Sequence, residues 1–308
     1  MFPWRRPAQG IAAQAAECHA AVLALDWVGS NFHQEHAMAD AEQTTPGGAV
    51  TATNRGTNHD TNWDAIWADA AASLDRYGNA VLPAVLRAGQ CEQLAALYAR
   101  DDCFRSRIVM ARHNFGRGEY QYFAYPLPPL LERLRHALYR RLAPIANRWN
   151  RQMGLDVQYP AELDAFLARC HAAGQTRPTP LMLRYRAGDY NCLHQDLYGE
   201  HVFPLQVAIL LSAPGEDFTG GEFVMTETGR RNQHADVVAL GQGDAVVFTV
   251  NQRPDVGEAM QRRASTPKVA MRHGVSVVRS GTRHTLGLIF HDAREPASSA
   301  SVSAWEAA

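Results

Sequence analysis

Leu181-Met182-Leu183-Arg184-Tyr185-Arg186-Ala187-Gly188-Asp189-Tyr190-Asn191-Cys192-Leu193-His194-Gln195-Asp196 runs as an apolar strand, a glycine turn and a second strand that ends on an imidazole and a carboxylate. Residues i and i+2 of a strand point to one face, so His194 and Asp196 are expected to reach a single metal ion together. Two histidines and one carboxylate with open positions are a donor set suited to non-haem iron, so a later histidine is needed to complete it. Spacing alone does not decide this. Among thirteen histidines the same His-x-acid pattern occurs at His33-Gln-Glu35 and His234-Ala-Asp236. The first has no strand pattern around it and the second reads as a polar hairpin loop, whereas His194 follows an apolar strand and a turn.

Working outward from there, short strands are expected near 181–186, 192–197, 205–212, 221–226, 236–240, 244–250, 273–278 and 284–291. Glycine-bearing turns at Gly188, Gly220-Gly221, Gly241, Gly243 and Gly281 separate them. Eight short strands with such turns predict an antiparallel sandwich or a jelly roll (double-stranded β-helix), and not a parallel sheet with crossover helices. Helices precede it. Trp63, Ile66, Trp67, Ala70, Leu74 and Tyr77 recur at helical spacing before Gly78, Ala88–Arg100 predicts a second helix, Leu130–Trp149 a long amphipathic one kinked or divided at Pro144, and Ala161–Ala173 another. The fold class is therefore mainly β with N-terminal helices (α+β). The expected organisation is one domain over 62–294, with a helical part at 62–175 and the jelly-roll core at 180–292. It is preceded by an extension over 1–61, with a short Ala-rich helix in 11–28 and disorder over Asn31–Asn62, and followed by a flexible tail over 295–308.

A chain of 308 residues, 46% hydrophobic and 20% charged, has the composition of a soluble globular protein. Its five cysteines form no Cys-x-x-Cys pair, so no disulfide framework or zinc ribbon is suggested and a reducing cytoplasm is expected. No apolar run approaches the ~20 residues that span a bilayer, and the start lacks a clean apolar secretion segment. A net charge of −1 argues against a coat of nucleic acid. The basic residues are nevertheless arginines apart from Lys268, and Phe104–Tyr125 interleaves Arg105, Arg107, Arg112 and Arg117 with aromatics and glycines. Guanidinium groups pair with phosphates and aromatic faces stack on bases, so this stretch is a candidate substrate-covering hairpin, with Arg112, Arg117, Tyr120, Tyr122 and, near the metal pair, Tyr190 as candidate substrate contacts. The plainer alternative is a strand pair whose aromatics pack inward and whose arginines face water.

For the third ligand His273 is the first choice, as the residue expected to open the strand 273–278. His284 and His291 compete. Arg283, past an expected turn at Ser280-Gly281, places a fixed cation in the same pocket, where a guanidinium makes a bidentate partner for a carboxylate. If Arg283 faces inward, His284 faces the other side of its strand.

His194-x-Asp196, His273 and Arg283 together resemble the Fe(II)/2-oxoglutarate-dependent dioxygenase superfamily over roughly residues 180–292. Gly220-Gly221-Glu222-Phe223, Gly243-Asp-Ala-Val-Val-Phe248, His273-Gly-Val and Gly281-x-Arg283 resemble its prolyl-4-hydroxylase branch. Arg184-Tyr185-x-x-Gly188 through Leu193-His194-Gln195-Asp196 resembles AlkB-type nucleic-acid demethylases. From about Tyr77 onward the chain is similar to a bacterial oxygenase family described as acting oxidatively on alkylated DNA. The resemblance implies Fe(2+) held by His194, Asp196 and His273. It implies 2-oxoglutarate paired with Arg283 and hydrogen-bonded by Tyr185, with O2 as the oxidant. The implied activity is oxidative demethylation of alkylated nucleobases in DNA or RNA, a DNA-repair role with nucleic acid as the substrate partner, no membrane and no obligate protein partner. The alternatives are hydroxylation of a protein side chain or small metabolite, and a non-catalytic jelly-roll sensor that binds a metal or ligand. Two positions depart from the AlkB pattern: Ile289 stands where a second arginine is expected and Leu183 where an asparagine is.

Overall fold

In the computed structural model, Leu181–Arg186 and Tyr190–His194 are strands, and their alternation of side chains organises the two sheets between which the site lies. The structure describes residues 62–197, 199–228, 234–255 and 267–294. The expectations for 1–61 and 295–308 lie outside the described residues.

Helix α1 (Trp63–Tyr77) starts at Asn62, whose side chain accepts from the Ala65 amide, and stops at Gly78 in the left-handed conformation (φ 77°). Strand β1 (Asn79–Leu82) follows, then α2 (Ala88–Ala96), which tightens into a 3-10 turn at Leu97–Ala99 instead of continuing to Arg100. Strands β2 (Phe104–Val109), β3 (Gly116–Arg117) and β4 (Glu119–Phe123) come from the Arg/aromatic stretch. The long α3 (Pro129–Gln152) runs unbroken through Pro144, and α4 (Leu163–Ala172) succeeds it. The rest is β: β5 (Gln175–Arg177), β6 (Leu181–Arg186), β7 (Tyr190–His194), β8 (Leu205–Leu210), β9 (Phe218–Gly220), β10 (Phe223–Thr228), β11 (Ala235–Val238), β12 (Ala245–Thr249), β13 (Gln252–Pro254), β14 (Lys268–Val275), β15 (Val278–Leu288) and β16 (Ala293–Arg294).

These strands pair antiparallel into a larger sheet, ordered β1-β12-β8-β15-β6-β4-β2 with β9 also on β15, a smaller one, ordered β11-β10-β14-β7-β3 with β13 on β14, and a separate β16-β5 pair. The result is the expected β-rich jelly roll with helices ahead of it. The period of two explains how the large sheet serves two environments. Met182, Leu286 and Leu288 join the core formed with Leu131, Leu138, Leu142 and Trp149 of α3, so the helices cover that face. Their neighbours Leu181, Leu183, Tyr185, Arg283, Thr285 and Gly287 turn the other way and line a cavity. Burial of the helical stripe on one side thus leaves the inner side to carry chemistry.

Three sequence expectations are corrected. The strand that carries His273 begins at Lys268, so His273 is its sixth residue and does not open it. The turn expected at Ser280-Gly281 lies earlier, at 276–277, and Arg283 sits mid-strand in β15. Gly281 (φ 75°) marks a close approach instead: a Cβ there would stand 1.9 Å from the Asp217 carbonyl oxygen, next to the register shift where β9 joins β15. Finally, β7 ends at His194, so Asp196 lies beyond the strand. Cys91, Cys170 and Cys192 are free thiols, whereas Cys103 is disulfide-bonded, which the scattered spacing did not suggest. Among the described residues no helix is long and apolar enough to cross a membrane.

Candidate active site

His194 and His273 stand opposite each other across the β7–β14 pair, with ring centroids 4.2 Å apart. The pairing shifts register between His273 and Val275, a local irregularity that re-aims side chains beside the site. Asp196 completes the group although its strand has ended, because Gln195 pins the intervening chain. The Gln195 amide donates to the Asn251 side chain (2.8 Å) and to the Met271 carbonyl on β14 (2.8 Å). The Nε2 atoms of His194 and His273 each lie 3.5 Å from one Asp196 oxygen, and one ligand atom from each of the three residues falls within 4.8 Å of the others.

The protonation pattern suits a cation. His194 Nδ1 lies 2.8 Å from the Cys192 carbonyl oxygen, a contact that requires Nδ1–H and leaves the Nε2 lone pair free. Burial comes first in holding the His194 pKa below its usual value, followed by the neighbouring His273. Burial alone would raise the pKa of Asp196, yet hydrogen bonding and charge from His273, with His194 and Gln206, keep it well below the carboxylate range. His273, 5% exposed, is packed by Phe248 (centroids 4.6 Å) and Phe223 (6.1 Å), which shield it from water.

Across the cavity, Arg283 and Tyr185 face each other on the paired strands β15 and β6. Arg283 is 2% exposed and donates from one terminal nitrogen to Thr285 Oγ1 (2.5 Å), while its Nε has no hydrogen-bond partner and it forms no ion pair among the described residues. Burial pushes its pKa down to about 10. Tyr185 is fully buried beneath it (5.7 Å from guanidinium carbon to ring centroid), its hydroxyl also unpartnered and its pKa raised by desolvation. Two glycines keep this wall clear. A Cβ on Gly118 (φ 122°) would lie 2.9 Å from the Tyr185 ring, and one on Gly221 (φ 67°) 3.0 Å from Arg283 Cδ.

The cavity between the two faces measures about 110 Å³ and joins the His-Asp-His group to Arg283. The donor chemistry fits a divalent metal bound through two imidazoles and a carboxylate. The buried cation and the unpartnered Tyr185 hydroxyl fit a carboxylate-bearing small molecule at the other end. His284 faces away, edge-on to Tyr98 (5.6 Å), and His291 is buried elsewhere, with Nδ1 accepting from the Phe203 amide (3.2 Å).

Of the candidate substrate residues, Tyr120 and Tyr122 line the cavity and meet edge to face (5.3 Å). Arg112 and Arg117 are exposed on the segment whose Met110 and Phe115 form part of the cavity wall, and Tyr190 pairs with Arg117 across β3–β7 without lining the cavity. The other two arginines of that stretch serve the protein itself. Arg105 donates to the Pro178 carbonyl (2.8 Å) and covers the Tyr122 ring, and Arg107 pairs with Glu119. Ile289 and Leu183, at the two departures from the AlkB pattern, both line the cavity. Gln206 is a cavity residue that pattern reading missed, and its signal was available: a glutamine within the otherwise apolar Leu205-Gln-Val-Ala-Ile-Leu210.

Residues 118–293 match a family described as "Oxygenase, catalysing oxidative methylation of damaged DNA". The chain belongs to this oxygenase family. Proteins of Mycobacterium tuberculosis strains H37Rv and CDC 1551, both described as uncharacterized, are each 49% identical over 172 residues, which is 56% of this chain and 72% of theirs. Among solved structures, a 2OG-Fe(II) oxygenase-family oxidoreductase from Burkholderia pseudomallei aligns over 80% of this chain and 98% of its own (20% identity, TM-score 0.46). A Pseudomonas putida prolyl-4-hydroxylase aligns over 74% and 100% (16% identity, TM-score 0.45). As a member of an oxygenase family the chain is an enzyme, which sets aside the non-catalytic sensor.

Proposed function

We propose that the protein is an Fe(II)- and 2-oxoglutarate-dependent oxygenase that removes alkyl groups from the bases of DNA or RNA. The observation that carries the cofactor assignment is the single cavity with the His194, Asp196 and His273 donors at one side and the buried, unpaired Arg283 at the other. An isolated buried guanidinium is costly, and the distal carboxylate of 2-oxoglutarate offsets that cost when it binds. The base reading rests on the family's description, on the exposed Arg112 and Arg117 beside the cavity and on the tyrosine rings inside it.

Iron and 2-oxoglutarate, when bound, supply a two-electron oxidation of a C–H bond by dioxygen, with release of succinate and carbon dioxide. On an N-methyl group the hydroxylated product collapses to formaldehyde and the unmodified base. The protein's own part is placement. His194, oriented by the Cys192 carbonyl, and His273, wedged between Phe223 and Phe248, present ring nitrogens to the metal position. Asp196 remains ionised, Arg283 and Tyr185 orient the co-substrate, and the aromatic walls exclude water.

A second reading, hydroxylation of a protein side chain or small metabolite, is favoured by Arg105 and Arg107, whose charges are engaged within the protein and so unavailable to phosphates. Formaldehyde release from oligonucleotides that carry N-methylated bases separates the two. Succinate formation stimulated by a cell extract, with no formaldehyde from any methylated oligonucleotide, would rule out the demethylase.

A further inference from the structure

The inner face of the large sheet is built in rows. Arg283 of β15 pairs with Tyr185 of β6; one step along, Thr285 pairs with Leu183, which pairs with Tyr120 of β4; the next row joins Gly287, Leu181, Tyr122 and, on β8, Ala208. Four residues of strand separate the Arg283 and Gly287 rows, about 13 Å at the usual rise. Gln206 lies two residues from Ala208 on the same face of β8, one row farther still from Arg283, and lines the cavity together with Ile289. A co-substrate held by Arg283 starts at the first row and ends at the metal donors, and Asp196 stands beside Gln206, so the far rows border the metal where a substrate must approach.

Those far walls are apolar or aromatic: Leu181, Ile289 and the tyrosine pair, in which the Tyr122 hydroxyl is hydrogen-bonded to Tyr120. Gln206 is different. It is 6% exposed, and its Nε2 makes no hydrogen bond of full geometry, the Asp196 carboxylate being the group that lies beside it. The carboxylate of Asp196 beside it decides which way the amide turns, since an Oε1 there would set two acceptors against each other. An amide nitrogen carries two hydrogens, so even when one approaches Asp196 the other remains for the cavity. A buried donor of this kind rewards a substrate that brings an acceptor and penalises one that does not.

We propose that Gln206 reads the substrate, and that the enzyme selects bases in which a carbonyl oxygen flanks the alkylated ring nitrogen. The inference rests on the demethylase reading above. 3-Methylcytosine has O2 beside its N3-methyl group, and 3-methylthymine has O2 and O4. 1-Methyladenine has a C–H and an amino group instead, and so offers no acceptor there. 3-Methylcytosine and 1-methyladenine carry the same charge when protonated, so that comparison isolates the carbonyl, while neutral 3-methylthymine shows what charge contributes.

The test uses the full chain and single-stranded oligonucleotides with one 3-methylcytosine, one 3-methylthymine, one 1-methyladenine or no modification. Binding is measured with Mn(II) and 2-oxoglutarate, and formaldehyde release with Fe(II) in air. For the wild type, the carbonyl-flanked bases are expected to bind and turn over at least about tenfold better than 1-methyladenine. Gln206→Leu is expected to erase that ratio while still binding Mn(II), which also reports that the variant is folded. Equal handling of all three bases by the wild type, or a ratio that survives in Gln206→Leu, overturns the inference and leaves the demethylase reading standing. So does a Gln206→Leu variant that loosens Mn(II) and weakens all bases alike, since the amide would then serve Asp196 alone. Absence of formaldehyde from every methylated oligonucleotide overturns the demethylase reading and this inference with it.

Discussion

Replacing Arg283 by methionine distinguishes a cation held for a ligand from one held for the fold. The depression of its pKa from 12.5 to about 10 corresponds to a penalty of about 3 kcal/mol for keeping the charge buried. Opposing it are the rings of Tyr185 and Phe218 at 5.7 and 5.9 Å, worth roughly 0.5–1 kcal/mol each, and the Thr285 hydrogen bond, worth about 1.5 kcal/mol. The two sides nearly cancel, so Arg283→Met should change the unfolding free energy by no more than about 1 kcal/mol in the absence of 2-oxoglutarate. Arg135 supplies the contrast. It is equally buried but paired with the buried Asp292 at 2.9 Å, and Arg135→Met should cost roughly 3–5 kcal/mol because it strands that carboxylate. The assay is denaturant unfolding followed by tryptophan fluorescence at fixed Mn(II), with and without 2-oxoglutarate. At a hundred times its dissociation constant the co-substrate should stabilise the wild type by about 3 kcal/mol and Arg283→Met not at all. A loss in Arg283→Met as large as that in Arg135→Met, or stabilisation by 2-oxoglutarate that persists in the variant, refutes the reasoning.

His273→Ala should weaken Mn(II) binding by two orders of magnitude or more, and His284→Ala should leave it intact, because His284 faces Tyr98; titration calorimetry on both variants checks this, and the reverse order would move the site. Gly118→Ala forces a Cβ against the Tyr185 ring at a positive φ, so it should cost about 1–3 kcal/mol of stability and raise KM for 2-oxoglutarate more than it lowers kcat. Unchanged kinetics would show that Tyr185 has room to move. His284 and His291 are both pushed down to about 4, chiefly by burial, and therefore bind a proton more readily when unfolded. Their contribution is complete above about pH 6.5 and drains away as the pH falls toward 4, by up to about 3 kcal/mol for the buried His291 and less for the partly exposed His284. Unfolding free energies at pH 7 and pH 5 should differ accordingly, and a flat profile would contradict the burial argument.

Much of the architecture was legible in the chain itself. Alternating strands, glycine turns and the helices ahead of them follow from side-chain periodicity and backbone sterics, which act locally. The metal-binding pattern His194-x-Asp196 was legible too, because an apolar strand and a glycine turn precede it, whereas Arg283 was placed beside it through a turn at Ser280-Gly281 that lies instead at 276–277. Other features were not local. The position of the β14–β15 turn escaped because Gly281 signals a turn as readily as it signals the close approach of Asp217, and only the packed neighbour tells them apart. Arg105 and Arg107 read as free cations in sequence, while their partners Pro178 and Glu119 are contributed by folding. Which histidine faces His194 was decided by the register of β14 against β7, since His273, His284 and His291 are alike as letters. The same holds for Gln206. An isolated glutamine in an apolar strand acquires meaning when the sheet closes and sets its amide beside Asp196, since a hydrogen-bond deficit exists only once the surrounding water has been removed.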